Sequence, residues 1–168
     1  MKRFLFIVLI VSACFPARAQ YRPYYSWAFG FRAGSTGGTS GLSVKGFIGE
    51  TLALEGVIGY WHGAPAGTLL LEKYIPAFRT KGLNWFFGGG AHYTGSTGFS
   101  RWYIVDNRGY DYVEGGAGYG IDAIAGIEYK IPAAPVAFSI DLKPFVEFSD
   151  AGGFAMAVDP GVGVKLAF

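Results

Sequence analysis

Cysteine, histidine and long hydrophobic runs are what this 168-residue chain has least of. It holds one cysteine, Cys14, and two histidines, His62 and His92. A single thiol cannot close an intramolecular disulfide and supplies no thiolate metal site. Two histidines without a ligand-spacing motif give little basis for a metal centre completed by Asp or Glu, and no cofactor is implied. Beyond the amino end, no apolar stretch approaches the about 20 residues that a membrane-crossing helix needs. An excess of one charge is missing too, with 14 Lys+Arg against 12 Asp+Glu. Nucleic-acid binding depends on many phosphate neutralisations, and no basic stripe is present to make them. There is no solenoid repeat and no low-complexity tract. The glycines around Gly116 and Gly120 precede no Lys-Ser/Thr pair, so they form no phosphate loop.

The amino end has a defined layout. Lys2 and Arg3 precede the apolar residues 4–11, and Ala17-Arg18-Ala19 follows Pro16. A charged start, a short apolar core and a small-x-small site predict a secretory signal peptide over residues 1–19. A second reading takes Val11-Ser12-Ala13-Cys14 as a lipoprotein box with Cys14 acylated; both export the chain. Residues 20–168 then form one domain with 11 Lys+Arg against 12 Asp+Glu, so the basic excess belongs to the leader.

Composition turns the argument to strands. Apolar residues make up 51% and aromatics 18%, with 27 glycines that disfavour helices. A membrane chain without long apolar runs must satisfy its backbone between strands, in a closed barrel. Alternation and turn signals predict eight strands, at about 26–33, 41–48, 51–61, 68–75, 83–93, 118–130, 136–148 and from 154 to the end. The fourth is the least regular, because Leu69, Leu70 and Leu71 are contiguous; if Glu72 points inward, Lys73 must snorkel outward. Pro160 predicts a bulge or a late start of pairing in the eighth. The closing residues alternate cleanly: Val162, Val164, Leu166 and Phe168 on one face, Gly161, Gly163, Lys165 and Ala167 on the other. The expectation is an all-β, eight-stranded antiparallel up-and-down transmembrane β-barrel, with apolar residues facing lipid and polar ones facing the lumen.

Residues 82–95 (GLNWFFGGGAHYTG), 120–135 (GIDAIAGIEYKIPAAP), 53–60 (ALEGVIGY) and the terminal GVGVKLAF resemble a group of small, mostly uncharacterised outer-membrane β-barrel proteins of Gram-negative bacteria, of OmpA/OmpX-like architecture. The resemblance implies a bacterial outer-membrane location and contact with outer-membrane lipids. It also implies that Phe168 acts as the signal read by the barrel-assembly machinery. It carries over no catalytic residue.

An eight-stranded barrel has an interior that side chains fill. The inward candidates are Arg32, Lys45, Glu55, Glu72, His92, Asp122, Glu128, Asp141, Lys143, Glu147 and Lys165, of both signs. Buried charges persist when paired, so these predict a polar plug; a narrow path for water, protons or small ions is the alternative. The long connection at 94–115 carries Phe99, Trp102, Tyr103, Tyr110 and Tyr112 among charges. It is the candidate contact surface for an extracellular protein or glycan, with an interfacial aromatic girdle as the other reading. The role expected is structural or surface-interacting, not enzymatic. A lipid A-modifying acyltransferase or deacylase is the alternative, built on His92 with Ser96 or Ser100, or on His62 with a neighbouring Ser. A soluble lipocalin-like barrel requires the reverse arrangement, apolar inside and polar outside.

Overall fold

The computed structural model describes residues 25–35, 39–61, 64–96, 116–150 and 152–168. The leader with Cys14, the second histidine His62, Ser100, and the loop aromatics Phe99, Trp102, Tyr103, Tyr110 and Tyr112 lie outside the described residues.

Eight strands follow one another: β1 (Trp27–Gly34), β2 (Ser40–Phe47), β3 (Leu52–Trp61), β4 (Ala64–Pro76), β5 (Leu83–Thr94), β6 (Gly118–Lys130), β7 (Val136–Ser149) and β8 (Phe154–Ala167). Each pairs antiparallel with the next, and β8 returns to β1, from Ala28↔Ala167 to Gly34↔Gly161, which closes the barrel. The chain is thus an all-β, closed, up-and-down barrel, and closure removes the unpaired edges an open sheet would expose. The β2–β3, β4–β5 and β6–β7 turns share one end with Tyr25 and Phe168. There the Phe168 carbonyl accepts from the Ser26 and Trp27 amides at 2.6 and 3.0 Å.

The largest departure from sequence expectation is β4. Residues 64–67 were expected in a loop because of Gly67 and Pro65, yet they extend the ladder to Trp61↔Ala64. Pro65 is tolerated because a strand residue turns its N–H and C=O toward the same neighbour. The Pro65 carbonyl accepts from the Gly95 amide at 2.8 Å, one position past the last residue of β5. Its missing N–H therefore faces the end of the ladder. Pro160 obeys the same rule: its carbonyl accepts from Ser35, just beyond β1, at 2.9 Å. The expected bulge or late start at Pro160 is accordingly corrected, since β7–β8 pairing runs in one register from Val136↔Leu166 to Phe148↔Phe154. The interruption falls instead at Pro144: β6–β7 pairing stops at Asp122↔Phe145 and resumes unchanged at Ala125↔Leu142.

The two faces are separated by period-two alternation. In β6, Ile121 is 64% exposed and Asp122 6%; in β7, Ile140 is 65% exposed and Asp141 3%. Apolar side chains also enter the interior, in three groups. Ala53, Leu70, Tyr74, Phe86 and Ile124 form one, Trp61, Ala66, Phe145 and Ala157 another, and Tyr25, Ala28, Ala137 and Ala167 the third.

Candidate functional site

Among the described residues the interior holds three ion-paired groups, each assembled from several strands. The first centres on Lys45 of β2, which is fully buried. Its Nζ lies 2.7 Å from Glu55 Oε2, 2.8 Å from Glu72 Oε2 and 3.3 Å from Glu128 Oε2, and it also donates to the Tyr74 hydroxyl. Tyr74 Oη reaches Glu72 and Glu128 at 3.1 and 3.2 Å and has one proton to give them. Tyr25 donates to Glu128 Oε1, and Ser43 to Glu55 Oε1 at 2.6 Å. Lys165 of β8 holds Glu55 from the other side, at 2.8 Å from Oε1. The Lys45 ammonium also lies 5.0 Å from the ring centres of Tyr74 and Phe86, a distance at which a desolvated cation is attracted to the ring face.

In the second group, Arg32 of β1 grips Asp141 with two nitrogens, Nη2–Oδ1 at 2.5 Å and Nε–Oδ2 at 3.3 Å. It reaches Asp159 of β8 with Nη1 at 3.0 Å. The planar guanidinium suits this fork, which a lysine could not reproduce. In the third, Asp122 of β6 accepts from Lys143 Nζ at 2.6 Å and contacts His92 Nδ1 at 2.9 Å, while His92 Nε2 lies 3.4 Å from Glu147 Oε2. The imidazole stacks on Trp61 at 5.1 Å and meets the Phe145 ring edge-on at 5.5 Å.

Glycines make the room. A Cβ at Gly161 would come within 2.4 Å of Arg32 Nη2 and 2.8 Å of Asp141 Oδ1; one at Gly120 would sit 2.4 Å from His92 Cε1. The glycines share the inward face with the charges because long polar side chains need an unoccupied neighbour across a narrow bore.

All the inward candidates, from Arg32 to Lys165, are thus buried in the interior, and the structure joins them across the barrel. It adds members that the sequence reasoning passed over. Asp159, fully buried, was missed because Pro160 broke the reading of β8; alternation carried through the proline would have found it. Tyr74 follows Glu72 by two positions, so the inward orientation of Glu72 implied it. Lys73 points outward and donates to Thr51 Oγ1. Lys130, at the end of β6, is buried on the same face, so among the described residues seven buried carboxylates, Asp159 counted, face five buried Lys or Arg side chains and His92. Within the Lys45 group, three carboxylates share two ammonium groups, and among the described residues Glu72 Oε1 has no hydrogen-bond partner.

Two hollows lie against the outward apolar face. One of about 780 Å³ is bordered by Ile121, Ala123, Pro144 and Met156, the other of about 370 Å³ by Trp85, Phe87, Ile127 and Leu142. Among the described residues no cluster of three or more His, Cys, Asp or Glu has the arrangement to hold a metal ion. No protein-family model and no curated protein matches this chain.

Proposed function

We propose that this chain is an integral barrel of the bacterial outer membrane, plugged by its ion-paired interior, with a structural or surface-interacting role. The observation that carries the reading is the outward face. Every strand exposes large apolar side chains there, among them Phe31, Leu42, Ile58, Leu69, Phe87, Ile121, Ile140 and Val162, while the charges turn inward. Water penalises a continuous apolar band of this extent, because soluble monomers rarely expose patches beyond a few hundred Å². Hydrocarbon is the solvent that such a band matches. A soluble lipocalin-like barrel calls for the opposite arrangement. The buried pairs fit a plug, since an eight-stranded bore leaves space for side chains and little else.

The orientation follows from the same reading. The end bearing the short turns and Phe168 lies in the periplasm, and the 95–117 connection faces outward from the cell. Exported folding requires the predicted leader, and Phe168 is the residue the barrel-assembly machinery reads. The aromatic-rich connection is the surface offered to an extracellular protein or glycan. The lipid A-modifying alternative draws no support from His92, whose two ring nitrogens face Asp122 and Glu147 inside the barrel. The deciding experiment is cell fractionation with gel mobility measured before and after boiling. A barrel that stays with outer membranes through carbonate washing and changes mobility on heating is expected; a soluble, heat-insensitive monomer refutes the proposal.

A further inference from the structure

The turn between β4 and β5 is built at a conformational cost and carries cations at its tip. The Thr80 amide donates to the Ala77 carbonyl at 3.0 Å, closing a four-residue turn. Its central residues, Phe78 and Arg79, both have left-handed backbones, with φ of 49° and 56°. That geometry is ordinarily filled by Asn-Gly or Asp-Gly. A phenylalanine and an arginine there hold backbone strain, which the surrounding structure must maintain. The strain serves to place side chains. Phe78 is 74% exposed and its ring lies 5.6 Å from that of Trp85, at the margin of the outward apolar band. Arg79 and Lys81 stand beside it, exposed, and Lys73 lies on the outward face of the adjoining strand.

Charge at this end of the barrel is one-sided. Outside the interior, every described Lys or Arg belongs to it: Lys73, Arg79 and Lys81. The buried Lys130 closes the same end by donating to the Ile131 and Ala134 carbonyls. Outside the interior, the described acidic side chain at this end is Glu50, in the β2–β3 turn.

We infer that Lys73, Arg79 and Lys81, with Phe78 and Trp85 beneath them, form a docking site for the phosphate headgroup of an anionic phospholipid in the periplasmic leaflet. The inference rests on the membrane reading above. The rings sit at the level where interfacial aromatics sit, and the cations extend from there into the headgroup layer. A basic residue near an anionic surface favours binding by roughly fivefold, so the two turn cations together are expected to give at least about tenfold.

The test is to refold the chain into phosphatidylcholine vesicles. Spin-labelled phosphatidylglycerol or spin-labelled phosphatidylcholine is then added, and the motionally restricted lipid fraction is measured by electron spin resonance. The expected result is a preference for the anionic label that falls to near parity in the Arg79→Gln/Lys81→Gln variant and shrinks at high salt. The Phe78→Asn variant, which relieves backbone strain, is expected to fold at least as well and to hold the anionic lipid less tightly. The Asp150→Asn variant, at the other end, leaves the preference unchanged. A chain that inserts and is heat-modifiable but shows no preference, or keeps it in the double variant, overturns this inference and leaves the membrane reading intact. A chain that does not insert overturns both.

Discussion

Lys45 Nζ lies 2.8 Å from Glu72 Oε2, and solvent reaches neither side chain. Their strands are not neighbours; β3 stands between β2 and β4, so the contact is made through the interior. Around it, Glu55 and Glu128 compete for the same ammonium group, and Lys165 makes its direct ion pair with Glu55. Coulombic attraction in a dry interior stabilises such a group only while the charges remain paired.

Removing the central cation tests that dependence. Lys45→Met leaves three carboxylates with Lys165 as the remaining ammonium. The expected loss is about 3–5 kcal/mol of stability, read as a lower urea midpoint for unfolding in vesicles. An unchanged midpoint would show that the cluster is not held by Lys45.

The carboxylates are not equivalent. Glu55 bonds two ammonium groups and Ser43, whereas Glu72 shares Lys45 and its Oε1 has no hydrogen-bond partner among the described residues. Glu55→Gln is expected to cost about 3 kcal/mol by breaking a buried pair, and Glu72→Gln less than about 1 kcal/mol because it removes surplus negative charge. Unfolding curves of the two variants in parallel distinguish them; equal losses would contradict the charge count.

Two glycine substitutions separate packing from backbone preference. Gly161→Ala drives a Cβ against the Arg32–Asp141 pair and is expected to destabilise by about 1–3 kcal/mol. Gly56→Ala has open space, with no atom within 4 Å of its Cβ, and is expected to change stability by less than about 0.5 kcal/mol. Matching losses would mean the inward glycines are not making room for side chains.

The outward face gives a test of its surrounding solvent. Ile140→Arg is expected to cost about 2–4 kcal/mol if the residue meets hydrocarbon, with heat-modifiable folding reduced in vesicles. A neutral outcome fits a water-facing side chain and counts against the membrane reading.

A plugged bore passes little. Vesicles holding the refolded chain are expected to show no swelling with small sugars, because the interior is filled by side chains. Swelling at the rate of an open pore would remove the plug.

Much of this was legible before any tertiary contact was known. Period-two alternation is a property of successive residues, so Ile121 against Asp122, or Ile140 against Asp141, assigned both faces of β6 and β7 from the chain alone. Prolines disturbed that reading. Pro65 hid the first turn of β4, and Pro160 hid Asp159, because strand alternation does not reveal toward which neighbour a missing N–H points. That depends on where the adjacent strand ends.

Strand count, the inward identity of the charged residues and the short turns at one end were set by local order, since neighbouring side chains in a strand must point to opposite faces. Which charge meets which was decided only by closure. Arg32 finds Asp141 and Asp159 at separations of 109 and 127 residues, and Gly161 stands where their side chains need space. Those juxtapositions depend on the register of eight strands around a ring, a quantity summed over the whole barrel and absent from any one segment of it.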